Sequence, residues 1–206
     1  MIKKIPHLLR NVGRKPPQPI NPITAKKLRK RFYENICQLE QLIGKDLSAF
    51  AGDTGDWEIV GDVKADPADN RRFLIKPGSG VAVNGPKGRT RNLLSKREHG
   101  DVEAHIEFMV PKGSNSGVYF QGRYEVQVHD SYGQEVHPGM CGAVYGQAAP
   151  AVNACRPAGE WQSFDIEFRA ARPSLDGGLA CPARLTVHQN GTMILDELAT
   201  ISLRMQ

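Results

Sequence analysis

From residue 47 onward the chain is built of short, mostly alternating apolar runs parted by turn residues, with no helical period between them. That pattern limits the fold more than any other feature. The runs are "GDWEIVGDVKA", "RFLIKPGSGVAV", "RNLLSKREHGDVEAHIEFMV", "GVYFQG", "RYEVQVHD", "GAVYGQ", "WQSFDIEFRAA" and "ARLTVHQNGTMILDEL". A strand with one buried face and one solvated face alternates apolar and polar side chains with a period of two. Val102, Ala104, Ile106 and Phe108 alternate in this way with Glu103, His105, Glu107 and Met109. In the last run Asn190 and Gly191 lie between apolar strands, the strongest short-range hairpin signal in the chain. The 21 glycines and 14 prolines among the runs supply many turns. Strands repeated without intervening helices pack as antiparallel sandwiches or barrels, so the expected class is all-β. At 206 residues with 40% apolar content, the chain is long enough for one domain with a proper core.

Within this series, "RYEVQVHDSYG" places Glu125, Gln127 and His129 on one strand face and Val126 and Val128 on the other. Alternation alone fits a solvated sheet and the floor of a cleft equally well. The preceding "VPKGSNSGVYFQG" makes a glycine-punctuated hairpin with it, and Gly113, Gly117 and Gly122 permit tight turns or close approach. Asn115, Ser116, Tyr119, Gln121 and Arg123 surround that hairpin with amides, hydroxyls, an aromatic ring and a guanidinium. Such a mixture suits a polyhydroxylated ligand, which needs many directional partners and a stacking surface.

The formal charge of +5 is unevenly placed. Residues 1–46 carry 11 Lys and Arg against 3 Asp and Glu, which leaves 16 basic and 19 acidic residues in the remainder. The body is mildly acidic, so the charge of the whole chain is a poor guide to what the domain binds, and no nucleic-acid partner is expected. The arm lacks the continuous apolar stretch and small-residue cleavage site of a secretory signal, and no run is long enough to span a membrane. In "TAKKLRKRFYENICQLEQLIG", Leu28, Phe32, Ile36, Leu39 and Ile43 recur at spacings of three and four, which predicts one amphipathic helix. The expected division is therefore a basic arm over residues 1–41 and a β domain over 42–206. Cys37, Cys141, Cys155 and Cys181 form no CxxC pair, so a zinc site is not expected. Cys141 and Cys155 flank one loop region, where a disulfide and two buried thiols are both open readings.

Five ordered segments carry a more specific signal: "GDTGDWEIV", "NLLSKREHGDVEAHIEF", "GSNSGVYFQGRYEVQVHDSYG", "CGAVYGQAAPAVNACRPAGEWQSFDIEFRAAR" and "ARLTVHQNGTMI". Over residues 42 to 197 they resemble the 3-keto-disaccharide hydrolase family, also described as 3-keto-glucoside 1,2-lyase and 2-hydroxy-glucal hydratase. The resemblance implies a concanavalin-like jelly roll whose concave face holds sugar, and a periplasmic or extracellular setting. It implies cleavage of 3-keto-glycosides through C2 proton abstraction, elimination and hydration. That chemistry accords with a strand carrying a single carboxylate, Glu125, on its polar face, because the usual glycosidase needs two opposed acids.

For the base the candidates are Glu125, His129 and, at the strand end, Asp130; a salt-bridged Glu, a solvent-facing His and a turn-capping Asp are the structural alternatives. Lys96 and Arg156 are the candidate cations for a developing enolate, unless a divalent metal held by Glu125, Asp130 and His129 serves instead. Asn115, Gln121, Arg123, Gln127, Tyr145, Asn153, Glu160 and Trp161 are expected to bind hydroxyls or stack on a ring, although Trp161 also reads as core. The family usually continues beyond "HQNGTMILDEL", so the chain is expected to be a C-terminally truncated copy. A non-catalytic sugar-binding module on the same fold is the alternative function.

Overall fold

The computed structural model describes residues 2–4, 47–85, 90–175 and 178–200. The amphipathic helix expected over residues 24–44 lies outside them. The described part is all-β, with eleven strands: β1 (Ile2–Lys4), β2 (Trp57–Ala65), β3 (Phe73–Asn84), β4 (Val102–Met109), β5 (Asn115–Phe120), β6 (Tyr124–His129), β7 (Gln162–Arg169), β8 (Arg172–Pro173), β9 (Leu179–Cys181), β10 (Ala183–Gln189) and β11 (Thr192–Thr200). Among the described residues no helix is long and apolar enough to cross a membrane.

Seven strands form one antiparallel sheet in the order β11-β10-β7-β4-β1-β3-β2. Ile2 pairs with Val83 on one side and Met109 on the other, so part of the basic arm is a strand of this sheet. β5 and β6 make a separate hairpin, with Asn115 opposite His129 and Phe120 opposite Tyr124. The expected Asn190–Gly191 turn joins β10 to β11 with both residues at positive φ, 52° and 81°. That conformation matches the right-handed twist of the flanking strands.

The core lies between the large sheet and the hairpin. Phe108, Phe164, Ile166, Phe168, Leu185 and Val187 from the sheet meet Phe120, Tyr124, Val126 and Val128 from the hairpin. Phe120 stacks on Phe168 with ring centroids 4.9 Å apart, and Tyr124 tilts against the same ring at 5.5 Å. These contacts hold the hairpin by its apolar face and turn Glu125 and His129 outward. A second apolar cluster gathers Val60, Val63, Val81, Val83 and Met109, with Phe73 and Trp161 packed against it. Met109, expected on the polar face of its strand, is buried there; alternation ends where a sheet is covered on both faces.

Candidate active site

β6 meets neighbours on both edges. Tyr119 of β5 stands directly opposite Glu125. On the other edge Val126 bridges Val144, and the Tyr145 N–H donates to the Glu125 carbonyl at 3.0 Å. Val144 is buried in the core with Val126, which sets Tyr145 on the outer face beside Glu125. A row of Tyr119, Glu125 and Tyr145 therefore crosses the outer face. The two tyrosines are 52% and 48% exposed, so the rings flank the carboxylate while open to solvent.

Glu125 itself is half-buried and lies across the next row. A Cβ on Gly117 would meet Glu125 Cγ at 2.7 Å and Cδ at 2.8 Å. The missing side chain at Gly117 thus makes the seat for the carboxylate; the close approach is to Glu125. The Tyr119 hydroxyl hydrogen-bonds to Glu125. Burial, and then this hydrogen bond, push the phenol up to about 12, so it stays a donor at any ordinary pH. A charged acceptor makes such a bond stronger than a neutral one would.

The remaining polar positions of the strand are occupied by the fold. Gln127 is buried, and its Nε2 makes a long 3.4 Å hydrogen bond to the Gly139 carbonyl. His129 Nδ1 lies 3.0 Å from Ser131 Oγ, which accepts the Cys141 N–H at 3.0 Å. Asp130 is only 7% exposed. Its Oδ2 accepts the Gly113 N–H at 2.9 Å and pairs with Lys112 Nζ at 3.3 Å. The carboxylate fastens the loop before β5, whereas a cap on the following "SYG" turn was the expected structural role. Asp reaches across the hairpin because Asp130 N is itself paired with the Ser114 carbonyl, bringing the two strand ends together.

The other expected site residues divide in the same way. Asn115, Gln121 and Arg123 are exposed on the hairpin, with Gln121 at φ 53° in the turn itself. Asn153 donates to the Ser131 and Gln134 carbonyls at 2.8 and 2.9 Å, a staple between the two ends of the β6–β7 connection. Arg156 Nη1 donates to the Trp161 carbonyl at 2.9 Å, and Trp161 packs on the second apolar cluster. Glu160 is exposed, and Lys96 is exposed in a loop whose backbone bonds Ala49. The structure therefore gathers Tyr119, Glu125 and Tyr145; Lys96 lies between β3 and β4, and Arg156 in the β6–β7 connection that also carries Tyr145.

Glu125, His129 and Asp130 do not fit a shared metal ion. Among the described residues no three His, Cys, Asp or Glu side chains come together as a ligand set. Strand geometry explains this: Asp130 belongs to the opposite parity from Glu125 and His129, and its oxygen faces Gly113. The pairing of Tyr119 with Glu125 was within reach of the sequence. A three-residue turn at 121–123 pairs Phe120 with Tyr124, and the next pair out is then Tyr119 with Glu125.

Residues 38–200 match the model of the 3-keto-alpha-glucoside-1,2-lyase-like domain. Among solved structures, one from Parabacteroides distasonis ATCC 8503, described provisionally as a glycosyl hydrolase, is 35% identical with a TM-score of 0.48. The match covers 52% of this chain and 49% of that one. A second structure from the same organism, given the same provisional description, is 24% identical with a TM-score of 0.39, over 48% of this chain and 52% of the other. The chain thus spans about half the length of the solved structures it resembles. No curated protein matches it.

Proposed function

Because the chain belongs to the 3-keto-alpha-glucoside-1,2-lyase-like domain family, we propose that it cleaves 3-keto-glycosides, with Glu125 as the base. The observation that carries this reading is the row Tyr119–Glu125–Tyr145: one carboxylate between two open aromatic rings. The jelly roll implied by the family is in keeping with two packed layers of antiparallel strands.

The chemistry follows from what one carboxylate can do. A ketone at C3 acidifies the C2 hydrogen of the sugar. Glu125 takes that proton, the electron pair of the C–H bond forms the enolate, and the C1–O bond then breaks to release the aglycone. The leaving oxygen gains a proton, and water adds across the C1=C2 bond of the 2-hydroxy-3-keto-glucal. The net change is hydrolysis. Tyr119 contributes by fixing the direction of the Glu125 carboxylate and by remaining protonated beside it. An inverting or retaining glycosidase would require a second carboxylate on the far side of the scissile bond. The other acid close in sequence, Asp130, is held by Gly113 and Lys112.

One observation favours a second reading, a sugar-binding module without turnover: the guanidinium of Arg156, an expected enolate-stabilising cation, is bonded to the Trp161 carbonyl. A single assay separates the two. The protein is incubated with a 3-keto-disaccharide and with the same disaccharide unoxidised, and products are followed by chromatography. Cleavage of the keto sugar alone, lost in Glu125→Gln, is the expected result. Binding of the keto sugar without product would establish the module, and cleavage of the plain sugar would overturn both.

A further inference from the structure

Beneath the end of β6 a polar network reaches from the core to the half-buried Cys155. Gln189 is fully buried, and its Nε2 lies 3.5 Å from Cys141 Sγ, 3.4 Å from Cys155 Sγ and 3.1 Å from Gln162 Oε1. Gln162 Oε1 also accepts the Arg156 N–H at 3.0 Å. One amide thus holds two sulfurs side by side, and the two cysteines hydrogen-bond each other. Both are free thiols in this structure. The backbones around them are already joined, because Asn153 Nδ2 donates to the Ser131 and Gln134 carbonyls and Asn153 Oδ1 accepts the Cys155 N–H at 3.1 Å.

We propose that Cys141 and Cys155 are a modification site, a dithiol that closes to a disulfide when it meets a small-molecule disulfide oxidant. The two cysteines have unlike environments, which assigns the order of events. Cys155 is half-buried, and the hydrogen bond from Cys141 is the largest influence lowering its pKa, against burial and the nearby charge of Asp130. Cys141 is fully buried, and the same hydrogen bond together with burial raises its pKa despite bonds from the His129 backbone and Gln189. The thiolate is the attacking species, so Cys155 is the first nucleophile and Cys141 the resolving thiol.

Cys155 thiolate attacks one sulfur of the oxidant, a mixed disulfide forms, and one small thiolate leaves. Cys141 then gives up its proton and attacks Cys155 Sγ, which expels the second small thiolate. Two protein thiols are oxidised and one small disulfide is reduced to two thiols. The bond ties two points of the single connection between β6 and β7. The Asn153 bonds already hold the two ends of that connection together.

The test uses the full chain with Cys37→Ser and Cys181→Ser, treated with oxidised glutathione, quenched with N-ethylmaleimide under denaturing conditions and mapped by mass spectrometry. The expected result is loss of both thiols, a mass lower by two hydrogens, and one cross-linked peptide pair containing Cys141 and Cys155; dithiothreitol restores both thiols. In the same background Cys155→Ser leaves Cys141 a free thiol without adduct, and Cys141→Ser stops at one glutathione on Cys155. If Cys141→Ser loses its cooperative unfolding transition, the parent and Cys155→Ser decide the matter. Full alkylation of both cysteines in the parent, or a stable glutathione adduct there, would overturn the proposal.

Discussion

Gly117→Ala separates the seat of Glu125 from the stability of the strand that provides it. Gly117 has no positive φ, so alanine meets no backbone strain, and a strand interior tolerates alanine better than glycine by about 0.5–1 kcal/mol. The new Cβ, however, falls 2.7 Å from Glu125 Cγ and 2.8 Å from Cδ, contacts far inside van der Waals separation. The cheapest relief is rotation of the Glu125 side chain, whose half-buried end is free to swing, and this also breaks the Tyr119 bond. Displacing a reacting group by about 1 Å costs on the order of 100-fold in rate, equivalent to about 2.7 kcal/mol of transition-state stabilisation. Folding free energy should then change by no more than about 1 kcal/mol. The assay pairs kcat/KM on a 3-keto-disaccharide with a urea titration of the same sample. If Gly117→Ala keeps full activity with an unchanged fold, the position of Glu125 over Gly117 is irrelevant to turnover. If it unfolds, the side-chain account of the clash is wrong.

Asp130→Ala leaves the Gly113 N–H without its acceptor and should cost about 1–3 kcal/mol, read as a lower urea midpoint at unchanged slope; an unshifted midpoint would remove its fastening role. Phe168→Ala opens a hole between Phe120 and Tyr124 and should destabilise by about 3–5 kcal/mol in the same titration. His105 has its pKa raised above 6.5, first by its hydrogen bond to Asp165, so the folded state holds that proton more tightly than the unfolded chain. Its contribution is complete below about pH 6.5 and fades as pH rises through the folded value. Asp165→Asn should therefore flatten stability over that window, and an unaltered pH dependence would refute the pairing; the effect is small because Asp165 is 54% exposed.

The fold class was legible because β pairing writes itself as a period of two. The runs around Trp57, Val102, Tyr124, Gln162 and Ala183 became strands, and Asn190–Gly191 became the expected hairpin turn, since local sterics decide both. Met109 was harder, because burial on a second sheet face depends on what lies across it, whereas Trp161, which also read as core, packs on that same cluster. The site was legible in one dimension: Glu125, Gln127 and His129 do share a strand face. Which of them stays open to a ligand was not, because that depends on how the chain after β6 folds back: the Gly139 carbonyl takes Gln127 and the Ser131 hydroxyl meets His129.

The sequence alone determined an all-β domain, the polarity of β6 and, through its ordered motifs, the family. Those are properties of neighbours in the chain, where side-chain alternation and turn conformation act over a few residues. Only the tertiary structure decided that Gly117 makes room for Glu125, that Tyr119 and Tyr145 flank it, and that Asp130 serves the backbone of Gly113. It also decided that Gln189, far along the chain, holds Cys141 and Cys155 together. Such outcomes depend on strand register and loop packing, and a buried polar group takes whichever partner the folded chain brings within hydrogen-bonding reach.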